Sequence, residues 1–191
     1  METPLPDNTL VVALQNGDDA AFDQLLARYK RPIINFVYRM LNDPTAAEDV
    51  AQEIFVKIYL NIHRFNPKKG TKFSTWLFQI ARNQTLDTIR HQRRRPQAFH
   101  NSCTDEETNI EAAQLSPDKH LVQAEQLAVI GRAIQQLPAK QRTAIVLTVY
   151  HEMPQAEISA VMGCSVRAVE SHLSRARKAL RTFYGLYDDL V

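Results

Sequence analysis

The sequence predicts an all-α chain of two small helical domains joined by a flexible linker, the C-terminal one containing a helix-turn-helix. Three observations predict this. Apolar residues recur at helical spacing through most of the chain, and no alternating strand pattern competes with them. Glycine occurs five times in 191 residues, too seldom for a sheet-rich fold with many tight turns. Between Pro96 and Lys119 the periodicity fails, and polar, acidic and proline residues take over before it resumes. The expected boundaries are therefore 1–95 for the N-terminal domain, 96–119 for an acidic linker and 120–191 for the C-terminal domain. No internal repeat is visible.

Taken in order, Gly17 and Asp18 read as a helix stop followed by an N-cap. The next helix places Phe22, Leu25, Leu26, Tyr29, Ile33, Phe36, Val37 and Met40 on one face, and Pro32 should kink or break it near Arg31. Asp43 caps a new helix with Pro44 in its first turn and Ala47, Val50, Ala51, Ile54, Ile58 and Ile62 as its stripe. Asn66 to Thr71 is a loop by composition, and Ser74 can cap the helix that follows. Inside the linker a short helix fits around Ile110 to Leu115. Helical spacing returns at Leu121, Leu127, Ile130 and Ile134 and stops at Leu137-Pro138; a helix to Tyr150 and two more, Pro154 to Met162 and Val166 to about Phe183, complete the chain.

An apolar fraction of 45% with 23% charged residues belongs to a foldable protein, not a disordered one. No apolar run approaches the roughly 20 residues of a membrane span, so no direct membrane insertion is expected. The acidic start, MetGluThrProLeuProAsp, has no signal-peptide pattern. Two cysteines, Cys103 and Cys164, are too few for a disulfide scaffold, which suits a reducing cytoplasm. The net charge of +2 hides an uneven distribution. Arg82 to Arg95 and Arg167 to Arg181 are strongly basic, whereas Asp105, Glu106, Glu107, Glu111 and Asp118 between them face only Lys119. Two basic segments flanking an acidic one suit two contacts with a polyanion.

Met153 to Leu180 reads as helix, tight turn, helix. Gly163 ends the first helix, Cys164 occupies the turn and Ser165 caps the second. Ile158, Val161, Met162, Val169 and Leu173 are spaced to pack the pair together. That leaves Arg167, Glu170, Ser171, Ser174 and Arg175 outward, the face a recognition helix presents to the major groove, with Arg177, Lys178 and Arg181 positioned for phosphates. An ordinary helical hairpin with a solvated basic face fits the same residues.

Two further stretches stand out in the N-terminal half. In AlaGluAspValAlaGlnGluIlePhe (47–55), Asp49, Gln52 and Glu53 fall at i, i+3 and i+4, a patch that suits arginine-bearing helices of a partner protein or is a solvated face. PheSerThrTrpLeuPheGlnIleAlaArgAsn (73–83) is preceded by Lys68, Lys69 and Lys72 and followed by Arg90, Arg93, Arg94 and Arg95. Aromatic and amide groups among cations suit unstacked bases, with Asn83 reading a base edge. Equally, Phe73, Trp76 and Phe78 can be core, with Trp76 and Phe78 partly buried.

With AlaGluAspValAlaGlnGlu, PheSerThrTrpLeu followed by IleAlaArgAsn, LeuProAlaLysGlnArg (137–142) and SerValArgAlaValGluSerHisLeuSerArgAlaArg (165–177) in this order, the chain resembles the extracytoplasmic-function sigma factors, small two-domain relatives of sigma-70. The resemblance covers nearly all of the chain outside the linker. It implies a promoter-binding subunit of RNA polymerase with no catalytic residues, no cofactor and no enzymatic activity of its own. It assigns Asp49, Gln52 and Glu53 to the clamp helices of the polymerase beta-prime subunit and implies further contact with the beta subunit. It assigns the segment from Lys68 to Asn83 to a flipped base of the −10 motif, with Phe65 and Asn83 as pocket positions and Lys69, Lys72, Phe73 and Trp76 beside them. Ser171, Ser174 and Arg175 match positions facing the −35 motif, and Arg177 a phosphate contact. An anti-sigma factor, usually membrane-tethered, is the implied regulator, so the chain would work in the cytoplasm or be held at the membrane through that partner.

Departures from the family pattern lie at Glu170, often basic in relatives, at Arg167, often glycine, and at Ser159, commonly alanine; they bear on −35 preference and not on the fold. An autonomous helix-turn-helix regulator would leave the 47–55 and 73–83 motifs unused. A recombinase would need a carboxylate triad or activated serine, and none emerges. A metal sensor built on His100, Cys103 and His120 fits no zinc spacing. His63, His91, His151 and His172 read as surface residues.

Overall fold

Local chemistry sets most helix ends. The structure, a computed structural model, describes residues 5–67, 70–94 and 129–188, with side chains through Phe183. Among these residues the chain is α-helical without strands: α1 (Asp7–Gln15), α2 (Asp19–Leu41), α3 (Pro44–Asn61), a 3-10 turn (Ile62–Arg64), α4 (Phe73–Arg94), α5 (129–136), α6 (Ala139–Val149), α7 (Gln155–Met162) and α8 (Val166–Asp188). Gly17 takes φ +93° after α1, and the Asp18 carboxylate accepts from the Ala20 amide to start α2. Asn42 ends α2 in the left-handed region at φ 58°, and Asp43 accepts from the Ala46 amide at 3.0 Å with Pro44 in the first turn of α3. The linker, its expected short helix and the resumption at Leu121 and Leu127 lie outside the described residues.

Two expected features differ. Pro32 neither ends nor divides α2, which runs as one helix across it. Ile33, Phe36, Val37 and Met40, just past the proline, are fully buried, and at roughly 1.5–3 kcal/mol each their burial outweighs the ~3 kcal/mol an interior proline costs. Pro32→Ala is therefore expected to stabilise the protein by about 1–3 kcal/mol, read as a higher urea midpoint. Ser74 is not the cap of α4. The helix begins at Phe73, and the Lys72 carbonyl accepts its first bond from the Trp76 amide.

The N-terminal half packs α1, α3 and α4 around α2, and the C-terminal half packs α6, α7 and α8 together. These two helical modules do not stand apart. Helix α7 lies against α4 and α6 against α2, so buried residues from Leu10 of α1 to Ala176 of α8 form one continuous core. Arg142 of α6 is the polar centre of this junction. Its guanidinium is buried and donates to the carbonyls of Met40 (2.6 Å) and Leu137 (3.2 Å), to Gln135 Oε1 (2.5 Å) and to the Gln135 carbonyl. Beside it Gln135 donates to the Arg39 carbonyl at 3.0 Å, and the Arg39 guanidinium stacks 4.3 Å over the Tyr150 ring.

Candidate nucleic-acid and protein interfaces

On α3 the stripe Ala47, Val50, Ala51, Ile54 and Ile58 turns inward and is buried. The opposite face carries Asp49, Gln52 and Glu53, all exposed, in line with Val56 (59% exposed) and Leu60 (63%) one and two turns further on. Together they line a shallow open groove with Lys57 and Asn61. Glu53 is held in place: its Oε2 accepts from Gln84 Nε2 of α4 at 2.8 Å, and Gln84 Oε1 accepts from Lys57 Nζ at 3.0 Å. The sequence reading found the three polar residues and missed Val56 and Leu60. The signal was two apolar residues off the buried stripe but in register with the acidic one.

The residues expected around a flipped base divide into two groups. Phe65 (4% exposed) and Phe73 (2%) are core, not contact surfaces. Their rings meet edge to face at 5.7 Å, Phe73 meets Tyr29 at 5.6 Å, and Trp76 leans on Phe65 at 5.4 Å. Gln15 fixes this cluster from α1 by donating to the carbonyls of Ile62 and Phe65, each at 2.8 Å. Tyr29 donates to Asp7, which also pairs with Arg28, and burial together with that carboxylate raises the Tyr29 phenol above its ordinary range. Phe65 and Phe73 thus wall the site from behind, and the half-buried Trp76 is the aromatic at its surface. The physical reason is that the loop folds its apolar side chains back onto α1 and α2. Lys72, just before α4, and Asn83 on α4 are exposed, and at about 100° per residue Gln79 and Asn83 lie within about 40° of one another around the helix. The Asn83 side-chain oxygen accepts from Arg82 at 3.0 Å. Lys69, with Lys68, lies outside the described residues.

The C-terminal pair forms as its residues require. Gly163 takes φ +64°, its amide bonds to the Ala160 carbonyl at 3.3 Å and the Cys164 amide to the Ser159 carbonyl at 3.1 Å, a Schellman closure of α7. Ser165 Oγ accepts from the Ala168 amide at 3.2 Å and caps α8. Ile158, Val161, Met162, Val169, Leu173 and Ala176 are buried between α6, α7 and α8. Arg167, Glu170, Ser174, Arg175, Arg177 and Lys178 are exposed, and Ser171 is partly so. This is a basic outer face with one acid, on a helix of the kind a major groove admits. Cys164 is a free thiol in the turn.

Not every histidine is at the surface. The His151 ring sits in the junction, 4.8 Å from Phe78 of α4 and 6.0 Å from Phe36 of α2, both edge to face. Burial pulls its pKa down to about 4. His172 is also lowered, by burial and by the neighbouring Lys140 and Arg175. Nothing in the sequence pattern marked His151, because its partners come from helices more than 70 positions away. Among the described residues no three His, Cys, Asp or Glu gather as a metal site, and the ligands weighed for one, His100, Cys103 and His120, lie outside them. No helix among those residues is long and apolar enough to cross a membrane.

Residues 25–95 match the family described as sigma-70 region 2 and residues 127–180 that described as sigma-70, region 4. Among curated proteins, the RNA polymerase sigma-H factor of Pseudomonas aeruginosa is 34% identical over 94% of this chain and 94% of its own length. The ECF RNA polymerase sigma factor SigW of Bacillus subtilis is 36% identical over 88% of this chain and 91% of its own. Among solved structures, CnrH in complex with the cytosolic domain of CnrY aligns with a TM-score of 0.72 at 27% identity, covering 94% of this chain and 97% of that one.

Proposed function

The chain belongs to the extracytoplasmic-function sigma factors of the sigma-70 family, and on that premise we propose how its surfaces divide the work of promoter recognition, DNA melting and transcription initiation. Residues 1–95 bind polymerase core and the −10 motif, 96–119 are a tether and 120–191 read the −35 motif. Asp49, Gln52 and Glu53 engage the beta-prime clamp helices, with Val56 and Leu60 supplying apolar area at the same contact. Lys72, just before α4, meets the backbone of the non-template strand, and on α4 Trp76 borders the extruded base and Asn83 reads its edge. On α8, Arg167, Glu170, Ser171, Ser174 and Arg175 face bases, while Arg177 and Lys178 hold phosphates. The chain supplies no catalytic group; polymerase makes the RNA. Its place is the cytoplasm, under an anti-sigma factor that can hold it at the membrane, a reading supported by the solved pairing of CnrH with the cytosolic domain of CnrY.

The observation that carries this reading over that of an autonomous DNA-binding regulator is the α3 face. An exposed acidic strip ending in exposed Val56 and Leu60 has no use in a protein that meets only DNA, because carboxylates repel phosphate. Melting then needs no fuel. The two modules raise each other's local concentration on one promoter, and preferential binding to the open state draws the duplex open. Bacterial core polymerase mixed with the purified chain should start transcripts at defined sites; failure to join core or to start them defeats the reading. Asn83→Ala is expected to lower open-complex formation about ten- to a hundredfold, the loss of one good base contact. Binding to core should be unchanged by gel shift, and an equal loss of core binding would remove Asn83 from the base-reading role.

A further inference from the structure

Helix α1 lies ahead of residues 25–95, the stretch that matches sigma-70 region 2, and it carries none of the surfaces assigned above. Its inner face, Leu10, Val11 and Leu14, is buried like that of any packed helix. Its two ends make more specific contacts. At the first turn the Asp7 carboxylate accepts from the Tyr29 hydroxyl and pairs with Arg28, and Arg28 Nη2 also donates to the Leu5 carbonyl at 2.9 Å. At the last residue Gln15 Nε2 donates to the carbonyls of Ile62 and Phe65, each at 2.8 Å. Each end thus reaches one of the rings behind the base site. Tyr29 meets Phe73 at 5.6 Å, and Phe65, held by its carbonyl, meets Trp76 at 5.4 Å. About 12 Å of helix separates the two fastenings.

The Gln15 contact is chemically demanding. Phe65 leaves the 3-10 turn in an extended conformation, at φ −77° and ψ 131°, which takes its carbonyl out of the helical ladder. The Ile62 carbonyl already accepts from the Phe65 amide at 3.1 Å and takes the Gln15 proton as a second. One nitrogen serves both oxygens, so the side chain must carry two protons on a single atom. An amide or an ammonium does so, whereas a carboxylate of the same size as the amide is an acceptor only. Gln15 is also the last residue of α1, where the helix dipole favours a cation and no basic residue stands. Lysine is therefore the one long side chain that could take over the contact without cost to the helix end.

We propose that α1 is a bracket for base capture, with Gln15 as the positioning residue that fixes Phe65, and through its ring Trp76, where the extruded −10 base meets the protein. Gln15 acts through Phe65, not by touching DNA. It holds the aromatic edge of the site in one place before a base arrives, so that capture costs less ordering. The other two surfaces are out of its reach. The α8 face lies on the other module, and Asp49, Gln52 and Glu53 lie at least two turns ahead of Ile62 along α3. The bracket stands on geometry alone; its bearing on promoter opening rests on the assignment of α4 to the −10 motif.

Trp76 is the chain's one tryptophan, so its emission reports the position directly in the free full-length chain. Gln15→Glu, and Gln15→Met, which keeps the length and offers no proton, should shift that emission to longer wavelength and raise its quenching by acrylamide. Gln15→Lys should keep both at the parent values, and far-ultraviolet circular dichroism should stay helical in all three. Holoenzyme assembled on core polymerase gives the functional arm, probed with a labelled single strand carrying the non-template −10 motif of a promoter at which it starts. Gln15→Glu and Gln15→Met should weaken capture of that strand about tenfold, and Gln15→Lys should restore it to within about twofold of the parent. Affinity for core and for duplex carrying the −35 motif should be unchanged, which general damage to the fold would not allow. Unaltered Trp76 emission in both proton-free variants, a loss of core binding equal to the loss of strand capture, or capture not restored by lysine would each overturn the proposal. Capture by Gln15→Glu as tight as by the parent removes the bracket alone, whereas a parent holoenzyme that does not hold the strand overturns the −10 assignment as well.

Discussion

Arg142→Ala is expected to lower the unfolding free energy by about 3–5 kcal/mol, the largest effect of any single substitution in the junction. The guanidinium donates to three backbone carbonyls and one side-chain oxygen drawn from α2, Gln135 of α5 and the turn after it. Alanine removes every donor at once and leaves those acceptors buried, each costing about 1–3 kcal/mol if water cannot reach it. Relaxation of the α5–α6 turn recovers part of the sum, which brings the estimate below simple addition. Arg142→Lys is a sharper control. It keeps the charge but not the planar fork, so it should recover less than half of the loss. Urea unfolding followed by circular dichroism gives both values. A loss under about 1 kcal/mol for the alanine variant would mean that the bonds to Met40 and Leu137 contribute little in solution.

Arg142 also shows where the sequence stops being informative. It stands in LeuProAlaLysGlnArg, one of the segments that carries the family resemblance, yet nothing local says that its side chain reaches the end of α2. Features set by neighbours in the chain were legible. Asp43-Pro44 starts α3, Gly163 and Ser165 close and reopen the helix-turn-helix, and the stripes of α2, α3 and α8 all face the core. Features set by distant packing were not. Pro32 is overridden by the apolar residues behind it, Phe65 and Phe73 turn inward because Gln15 and Tyr29 receive them, and His151 is partly buried by helices it has no periodic relation to. The acidic patch of α3 was found from spacing alone. Its apolar continuation was not, since Val56 and Leu60 look like core residues until the helix is seen to turn them out.

That continuation shapes the second large effect. Reversing the patch with Asp49→Lys and Glu53→Lys together is expected to weaken binding to core polymerase by at least about a hundredfold, ~3 kcal/mol. Both carboxylates are exposed on one helix face, and Gln84 and Lys57 orient Glu53 before any partner arrives. A charge-assisted contact of that kind loses its attraction on truncation and becomes repulsive on reversal, whereas Val56 and Leu60 remain in place to supply apolar area. The defect should therefore lie mainly in electrostatics and shrink as salt rises, although raised salt does not restore normal affinity. Stability should change little, within about 0.5 kcal/mol per site, because neither side chain is buried. Binding to duplex DNA through α8 should persist, since that face lies on the other module. Equilibrium binding of the double variant to core polymerase at two salt concentrations measures the effect. Assembly as tight as that of the parent chain would detach the α3 strip from polymerase and leave Val56 and Leu60 without a partner.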